Sequence, residues 1–441
     1  MADRATDVAL GGGNRRSFLA NSLTSGAALA AGTGIARAAH TSGDHRLRVG
    51  LIGAGNRGRG AAVDALTAGE DVVLVAASDA FQDRLDDGLR IVREQFADRV
   101  DVPSDRQFVG FDSYKSVLEC DVDLVILAAP PGFRPQHFEA AVAAGKHVFM
   151  EKPVAVDAPG VRRVLEAGRQ AREKRLAVGV GLQRRHEKHY HTAIQQIWDG
   201  VIGDEVLYTR VYWNTGALWT RPRKPGQTEM EYQMRNWYYF NWLSGDHIVE
   251  QHIHNLDVSN WIKQRVPVEA KGMGGRQVRT GIDNGEIFDH HMVEYTYGDG
   301  TMMLSQCRQM PGTWNSVNEY AHGSKGSCHI GYGIVLDRDG KAVSRLKRPF
   351  KSGYVPEHVD LQASIRANDP YNETQVGAEA TMTAILGRMA TYSGNAVKWD
   401  DAMASDISLA PERYAFDADP PILPDGNGRY EIAEPGVTEV V

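Results

Sequence analysis

The stretch from Arg46 to Gly60 limits what this chain can fold into more than any other. A short apolar run (Leu47, Val49, Leu51, Ile52) leads straight into Gly53-Ala54-Gly55-Asn56-Arg57-Gly58, and an alanine-rich segment (Ala61, Ala62, Ala65) follows. Strand, G-x-G-x-x-G and helix in that order are what a dinucleotide-binding turn requires. The first glycine permits the tight turn, the second lets backbone N–H groups approach a pyrophosphate, and the third lets helix and strand pack closely. The helix N-terminus then faces the phosphate charge. Three glycines at this spacing would also suit a plain strand-to-helix turn, so the context decides. A second apolar run, Val72 to Ala77, ends in Ser78-Asp79, and Asp79 lies 26 residues beyond Gly53. An acid at the tip of the second strand can accept hydrogen bonds from a ribose 2′-hydroxyl.

The chain has 441 residues, too many for one core and a natural length for two domains. Its net charge of -7, without a basic tract interleaved with aromatics, argues against nucleic acid as a partner. Cys120, Cys307 and Cys328 lack metal-ligand or C-x-x-C spacing, and three separate buried thiols are expected. The first 38 residues read as an address. Asn14-Arg15-Arg16-Ser17-Phe18-Leu19 resembles a twin-arginine export motif, although Asn14 stands where Ser or Thr is usual. A weakly apolar stretch follows, then Ala36-Arg37-Ala38 as a small-x-small cleavage site. That stretch is too polar and too short for a membrane anchor. An extracytoplasmic protein, exported folded with its cofactor, is the expectation.

After a linker (39–45), apolar runs alternate with helical patterns over 46–180. Segment 82–99 reads as helix, 122–129 as a buried strand stopped by Pro130-Pro131, 135–144 as helix, and 147–150 as a strand delivering Glu151-Lys152-Pro153. Helix over 161–174 and strand over 176–180 complete a doubly wound parallel sheet, an α/β Rossmann domain. The character changes over 181–410. A helix (189–199) and a strand (205–213) precede a loop rich in Trp, Tyr, Arg and Pro (213–242) and a continuous helical pattern over 245–261. Hairpin signals at Gly298-Asp299-Gly300 and at Gly323 to Gly326 predict an α+β domain with a mixed or antiparallel sheet. A late helix spans 377–389, and a proline- and glycine-rich tail occupies 411–441.

Glu151-Lys152-Pro153 falls where open α/β sheets bind ligands, beyond the carboxyl ends of their strands. Lys152 can aim a charged donor into that crevice. On a continuous helix, Glu250 and His254 are four apart and share a face, so a carboxylate could set the tautomer of a general base. His247, Glu250 and His254 at i, i+3 and i+7 could alternatively ligate a metal. Asp289-His290-His291 reads as the exposed tip of a strand rather than a ligand cluster.

Together these residues give a specific resemblance. The glycine turn at 53–58, Ala129-Pro130-Pro131 with His137 downstream, AGKHVFMEKP at 144–153 and EQHIHNLD at 250–257 resemble the glucose–fructose oxidoreductase/inositol dehydrogenase/MocA family from about Leu47 to Met389. The resemblance implies that Lys152 and His254 act at a hydride-transfer centre, with Glu250 where the family more often has Asp. It further implies cofactor contacts from Gly53, Gly55, Asn56, Arg57, Gly58, Asp79, Pro130, His137, Glu151, Lys152 and Arg185. The cofactor would be tightly bound, NAD rather than NADP because a 2′-phosphate would meet Asp79, with Arg84 close enough to tolerate one. Trp213, Asn214, Trp219, Arg221, Arg235, Trp237 and Tyr238 have the mixture carbohydrate sites use, and equally that of an interface.

The expected activity is hydride transfer to or from a secondary hydroxyl of a sugar or cyclitol by a homo-oligomeric enzyme. A redox-neutral glycosidase working by transient oxidation and elimination is the alternative. A metal-dependent enzyme and a sugar-binding protein with a vestigial nucleotide fold rank below both.

Overall fold

A computed structural model describes residues 46–347 and 351–441. The twin-arginine motif and the expected cleavage site lie outside these residues. Six parallel strands form the first sheet: β1 (Leu47–Ile52), β2 (Val72–Asp79), β3 (Gln107–Val109), β4 (Leu124–Leu127), β5 (His147–Met150) and β6 (Val178–Val180). Their spatial order is β3-β2-β1-β4-β5-β6. Helices α1 (Asn56–Ala68), α2 (Gln82–Gln95), α3 (Ser113–Glu119), α4 (Arg134–Ala143) and α5 (Ala158–Glu173) connect them. β2 is buried at every position but its last and β4 at all four, as strands covered on both faces must be. The direction of winding reverses between β1 and β4, so the crevice beyond their carboxyl ends is the expected ligand position. The short edge strand β3 and α3 were not foreseen from the sequence.

Among the described residues, the second sheet has nine strands. After α6 (Lys188–Trp198) comes β7 (Val206–Thr215). The stretch expected to be a plain loop instead holds α7 (Glu229–Arg235), whose Thr228 cap accepts a hydrogen bond from the Glu231 N–H at 3.2 Å. The expected helix over 245–261 is broken. α8 (Asn241–Ser244) ends at Gly245 (φ +77), α9 (His247–Glu250) is one turn, and α10 (Ile253–Lys263) starts anew after Gln251 and His252. Then follow β8 (Pro267–Gly275), β9 (His290–Tyr297), β10 (Met302–Gln309), β11 (Ser316–Gly323), β12 (Gly326–His329), β13 (Ile334–Asp337) and β14 (Ala342–Arg345). Both hairpins, β9–β10 and β11–β12, form where the glycines indicated. β7 runs parallel to β10 and antiparallel to β11, which makes the sheet mixed.

The alternating burial of β9 and β10 marks a sheet packed on one face, and α10 and α12 lie against it. α11 (Tyr354–Arg366) was not foreseen, and it returns to pack on α1 of the first sheet. α12 (Thr374–Ser393) is longer than expected and largely buried, and β15 (Val397–Lys398) pairs with β8. All three cysteines are free; Cys307 and Cys328 are buried and Cys120 is half-buried.

Candidate active site

The glycine turn divides its labour as its spacing implies. Gly53 has φ +92, and a Cβ there would sit 2.4 Å from the Ala129 amide nitrogen on the neighbouring loop. A Cβ on Gly58 would lie 1.7 Å from the Gly53 carbonyl oxygen. A Cβ on Gly55 would meet nothing within 4 Å, so this glycine keeps space for something other than protein. Helix α1 begins without a side-chain cap and without an acid in its first turn, leaving its first N–H groups for an anion. Asp79 ends β2 with one oxygen accepting from the Ala54 N–H at 2.8 Å and the other from the Phe81 N–H at 3.0 Å. Burial pushes its carboxyl up, and those two hydrogen bonds oppose the shift. These features fit a dinucleotide.

From this turn a cavity of about 460 Å³ extends to the second sheet. Gly53, Gly55, Asn56, Arg57, Asp79, Pro130, His137, Glu151 and Lys152 line it, as do Glu250 and His254. Gly58 does not, consistent with its packing role. Glu151 is buried and accepts from Arg57 Nε at 2.5 Å, while its carbonyl accepts from Arg134 Nε at 2.9 Å. His137 lies between Tyr114 and Phe133, with ring centroids 4.4 and 5.7 Å away, and burial pushes it down to about 3. It is therefore a neutral apolar wall.

Lys152 and Glu250 face each other. The Lys152 ammonium donates to the Glu250 carbonyl and to Glu250 Oε1, the latter at 3.0 Å. The expected partnership of Glu250 with His254 does not form, because the break at Gln251 removes the shared helical face. Glu250 instead fixes the lysine. His254 is 6 % exposed, and its ring lies against Trp213 with centroids 6.0 Å apart and planes at 25°. Burial, then the charges of Lys152, Arg184 and Arg57, hold its imidazole well below the usual histidine range. The arrangement places a positive donor and a neutral base on one cavity.

Several expected residues stand elsewhere. Arg185 is absent from the cavity wall; its guanidinium is held by Asp257 at 2.8–3.1 Å and lies over Trp261. Asn214 is the strand neighbour of Trp213 and so points to the opposite sheet face. Tyr238 is buried behind the wall, where its hydroxyl accepts from Gln309. Trp213, Trp219, Arg221, Arg235 and Trp237 do line the cavity. Arg235 pairs with Asp83 at 3.0 and 3.1 Å and lies over Phe81. The metal trio His247, Glu250 and His254 is not assembled. His247 pairs with Asp246, beside His291, in a fully buried cluster whose Asp246 oxygens also accept from Tyr392 and the Phe288 N–H.

Asp289 and His291 are buried, not an exposed tip: Asp289 accepts three backbone N–H groups from Gln277, Val278 and Arg279. The wall also includes Phe81, Phe111, Phe133, Arg134, Gln251 and Tyr354, which no local motif marks.

A parallel sheet with this glycine turn, opening at its switch point onto a cavity shared with a mixed sheet, is a two-sheet architecture whose turn fits a dinucleotide. Residues 47–181 match the GFO_IDH_MocA model, described as an oxidoreductase family with an NAD-binding Rossmann fold. The chain is 28 % identical over 236 residues to the inositol 2-dehydrogenase of Acidothermus cellulolyticus, covering 53 % of this chain and 58 % of that protein. It is 27 % identical over 258 residues to the scyllo-inositol 2-dehydrogenase (NADP(+)) of Bacillus subtilis, covering 57 % of this chain and 64 % of that one. The chain thus spans less than two thirds of the length of either relative. The fold is that of scyllo-inositol dehydrogenase from Lactobacillus casei, solved with NAD(H) and scyllo-inositol. The TM-score is 0.61 at 19 % identity, over 80 % of this chain and 99 % of that one.

Proposed function

We propose that this protein is an NAD(P)-dependent oxidoreductase acting on a secondary hydroxyl of a cyclitol or sugar. The observation that carries the reading is the convergence of Lys152 and neutral His254 on a cavity that begins at the glycine turn. Two relatives named as inositol dehydrogenases support the substrate class. Gly55 and the open N-terminus of α1 would hold the dinucleotide pyrophosphate, and Asp79 the adenosine ribose. When bound, the nicotinamide supplies the acceptor or source of hydride. His254 takes the hydroxyl proton on a ring nitrogen, and the Lys152 ammonium hydrogen-bonds the same oxygen as negative charge develops on it. Glu250 keeps Lys152 in place. The apolar walls, including His137, exclude water from that oxygen.

The test is to offer purified protein myo-inositol, scyllo-inositol and simple aldoses with NAD or NADP, following the near-ultraviolet absorbance of reduced nicotinamide. At least one polyol is expected to reduce the cofactor, with NAD preferred because a 2′-phosphate would meet the Asp79 carboxylate. Absence of reduction with every polyol would count against the reading, and equal use of both cofactors against the preference.

We also propose that the protein acts outside the cytoplasm, on the strength of Arg15-Arg16 and the stretch after them. Lysine at both positions is expected to leave it in the cytoplasm. Unchanged export of that variant, measured by cell fractionation, would remove the proposal.

A further inference from the structure

Behind His254 lies a buried polar group that the proposed chemistry leaves unused. Arg184, in the single turn Gln183–His186 after β6, donates to Glu319 on β11. Glu319 also accepts from Asn255 Nδ2 at 2.6 Å and from the Tyr190 hydroxyl at 3.1 Å. It is 1 % exposed, and Arg184 is 9 % exposed. The Arg184 guanidinium carbon lies 5.8 Å from the centre of the Trp213 ring, and the Trp213 ring in turn lies against His254. Glu319 therefore ties this assembly at two points, through Arg184 and through Asn255, the residue that follows His254.

Two facts require an explanation. Burying an ion pair costs desolvation that attraction between the charges often fails to offset, so stability alone is a weak account of this pair. A general base is ordinarily oriented by a third group, yet Nδ1 of His254 is buried with no hydrogen-bond partner among the described residues, and Glu250 faces Lys152. Among the described residues, the aromatic ring paired with the imidazole is that of Trp213.

We propose that Trp213, braced by the Arg184–Glu319 pair, is a positioning residue that holds the His254 ring toward the reacting hydroxyl. This rests on the reading of His254 as the base. It adds a positioning role to Trp213, a cavity-lining residue that the sequence offers as part of a carbohydrate site or an interface, and it gives Arg184 and Glu319 a role in the reaction. The groups facing His254 are Lys152 after β5, Arg57 on α1, Arg184 and the neighbouring His252, with Glu250 set against Lys152 and Glu319 against Arg184. Removing the Arg184 charge relieves repulsion of protonated His254 and moves the acid limb of the rate profile up. Removing the Glu319 charge exposes His254 to an unbalanced guanidinium and moves that limb down. Packing alone predicts no such opposed pair.

The experiment compares Trp213→Ala, Trp213→Phe, Arg184→Met and Glu319→Gln with His254→Asn as control. Kinetics use NAD with scyllo-inositol, and nitrogen NMR of histidine-labelled protein gives a readout that needs no turnover. Trp213→Ala is expected to lower kcat about 10–100-fold with KM within about threefold, and Trp213→Phe to recover most of the loss. The His254 signal, assigned by its absence in His254→Asn, broadens or changes tautomer in Trp213→Ala and is retained in Trp213→Phe. An unchanged His254 signal in Trp213→Ala, or a raised KM at full kcat, overturns the proposal and returns Trp213 to a sugar platform. Turnover surviving in His254→Asn would remove the base itself, whatever Trp213 does.

Discussion

Asparagine at position 254 is expected to leave the dinucleotide bound but to lower turnover about 10²–10⁴-fold, the range for loss of a positioned general base. Lys152→Ala has the same signature. As hydride leaves, the substrate oxygen must lose its proton and take on carbonyl character, so a base and a positive donor must meet at that atom. Neither side chain contributes to the glycine turn, and the adenosine half should still be held by Gly53 to Gly58 and Asp79. The measurement is single-turnover reduction of the bound cofactor after polyol is added. Loss of the cofactor in both variants would give them a structural role, and near-normal turnover in His254→Asn would sink the base assignment.

The pH dependence follows from the same residue. An exposed histidine titrates near about 6.5. His254 is pushed well below that, by burial first and then by Lys152, Arg184 and Arg57. The neutral form is the one that accepts a proton, and a lowered pKa extends it toward acid. The acid limb of kcat/KM is therefore expected below pH 6.5, and a limb at or above that value would show that His254 is not held neutral.

How much of this was legible in the sequence depended on whether the signal was local. The glycine turn, the buried runs and the two hairpins were legible because each is set by backbone requirements of adjacent residues. Lys152 was legible because a short strand delivers it to a crevice that the topology already specifies. The pairing of Glu250 was not. Helical periodicity runs unbroken through 245–261, while the chain turns at Gly245 and Asp246, both at positive φ, and again at Gln251. Gly245 as the end of α8 was the one available sign. Arg184 and Arg185 are chain neighbours on a tight turn, and only tertiary structure decides that one meets Glu319 and the other Asp257. Tyr354 reaches the cavity from α11, far along the chain, and no local pattern announces that contact.

The second large effect separates two glycines three residues apart. Gly55→Ala is expected to leave the cofactor-free protein within about 1 kcal/mol of wild type, as substitutions without a steric or polar penalty generally do. Its backbone (φ -64, ψ -171) is open to any L-residue, and the added methyl meets no protein atom within 4 Å. The same methyl occupies the space through which backbone N–H groups would reach a pyrophosphate, so dinucleotide affinity falls at least about tenfold, equivalent to about 1.4 kcal/mol. Gly58→Ala has the opposite profile. Its methyl would sit 1.7 Å from the Gly53 carbonyl oxygen, a backbone atom that no rotamer change can move. Helix α1 must then separate from the turn after β1, costing on the order of 1–3 kcal/mol before any ligand is added. Urea melts of the cofactor-free proteins and equilibrium titration with NAD distinguish the two. Full NAD affinity in Gly55→Ala would mean that the phosphate does not approach this turn. A melt of Gly58→Ala like that of wild type would mean that the close packing of α1 on β1 is not what its glycine secures.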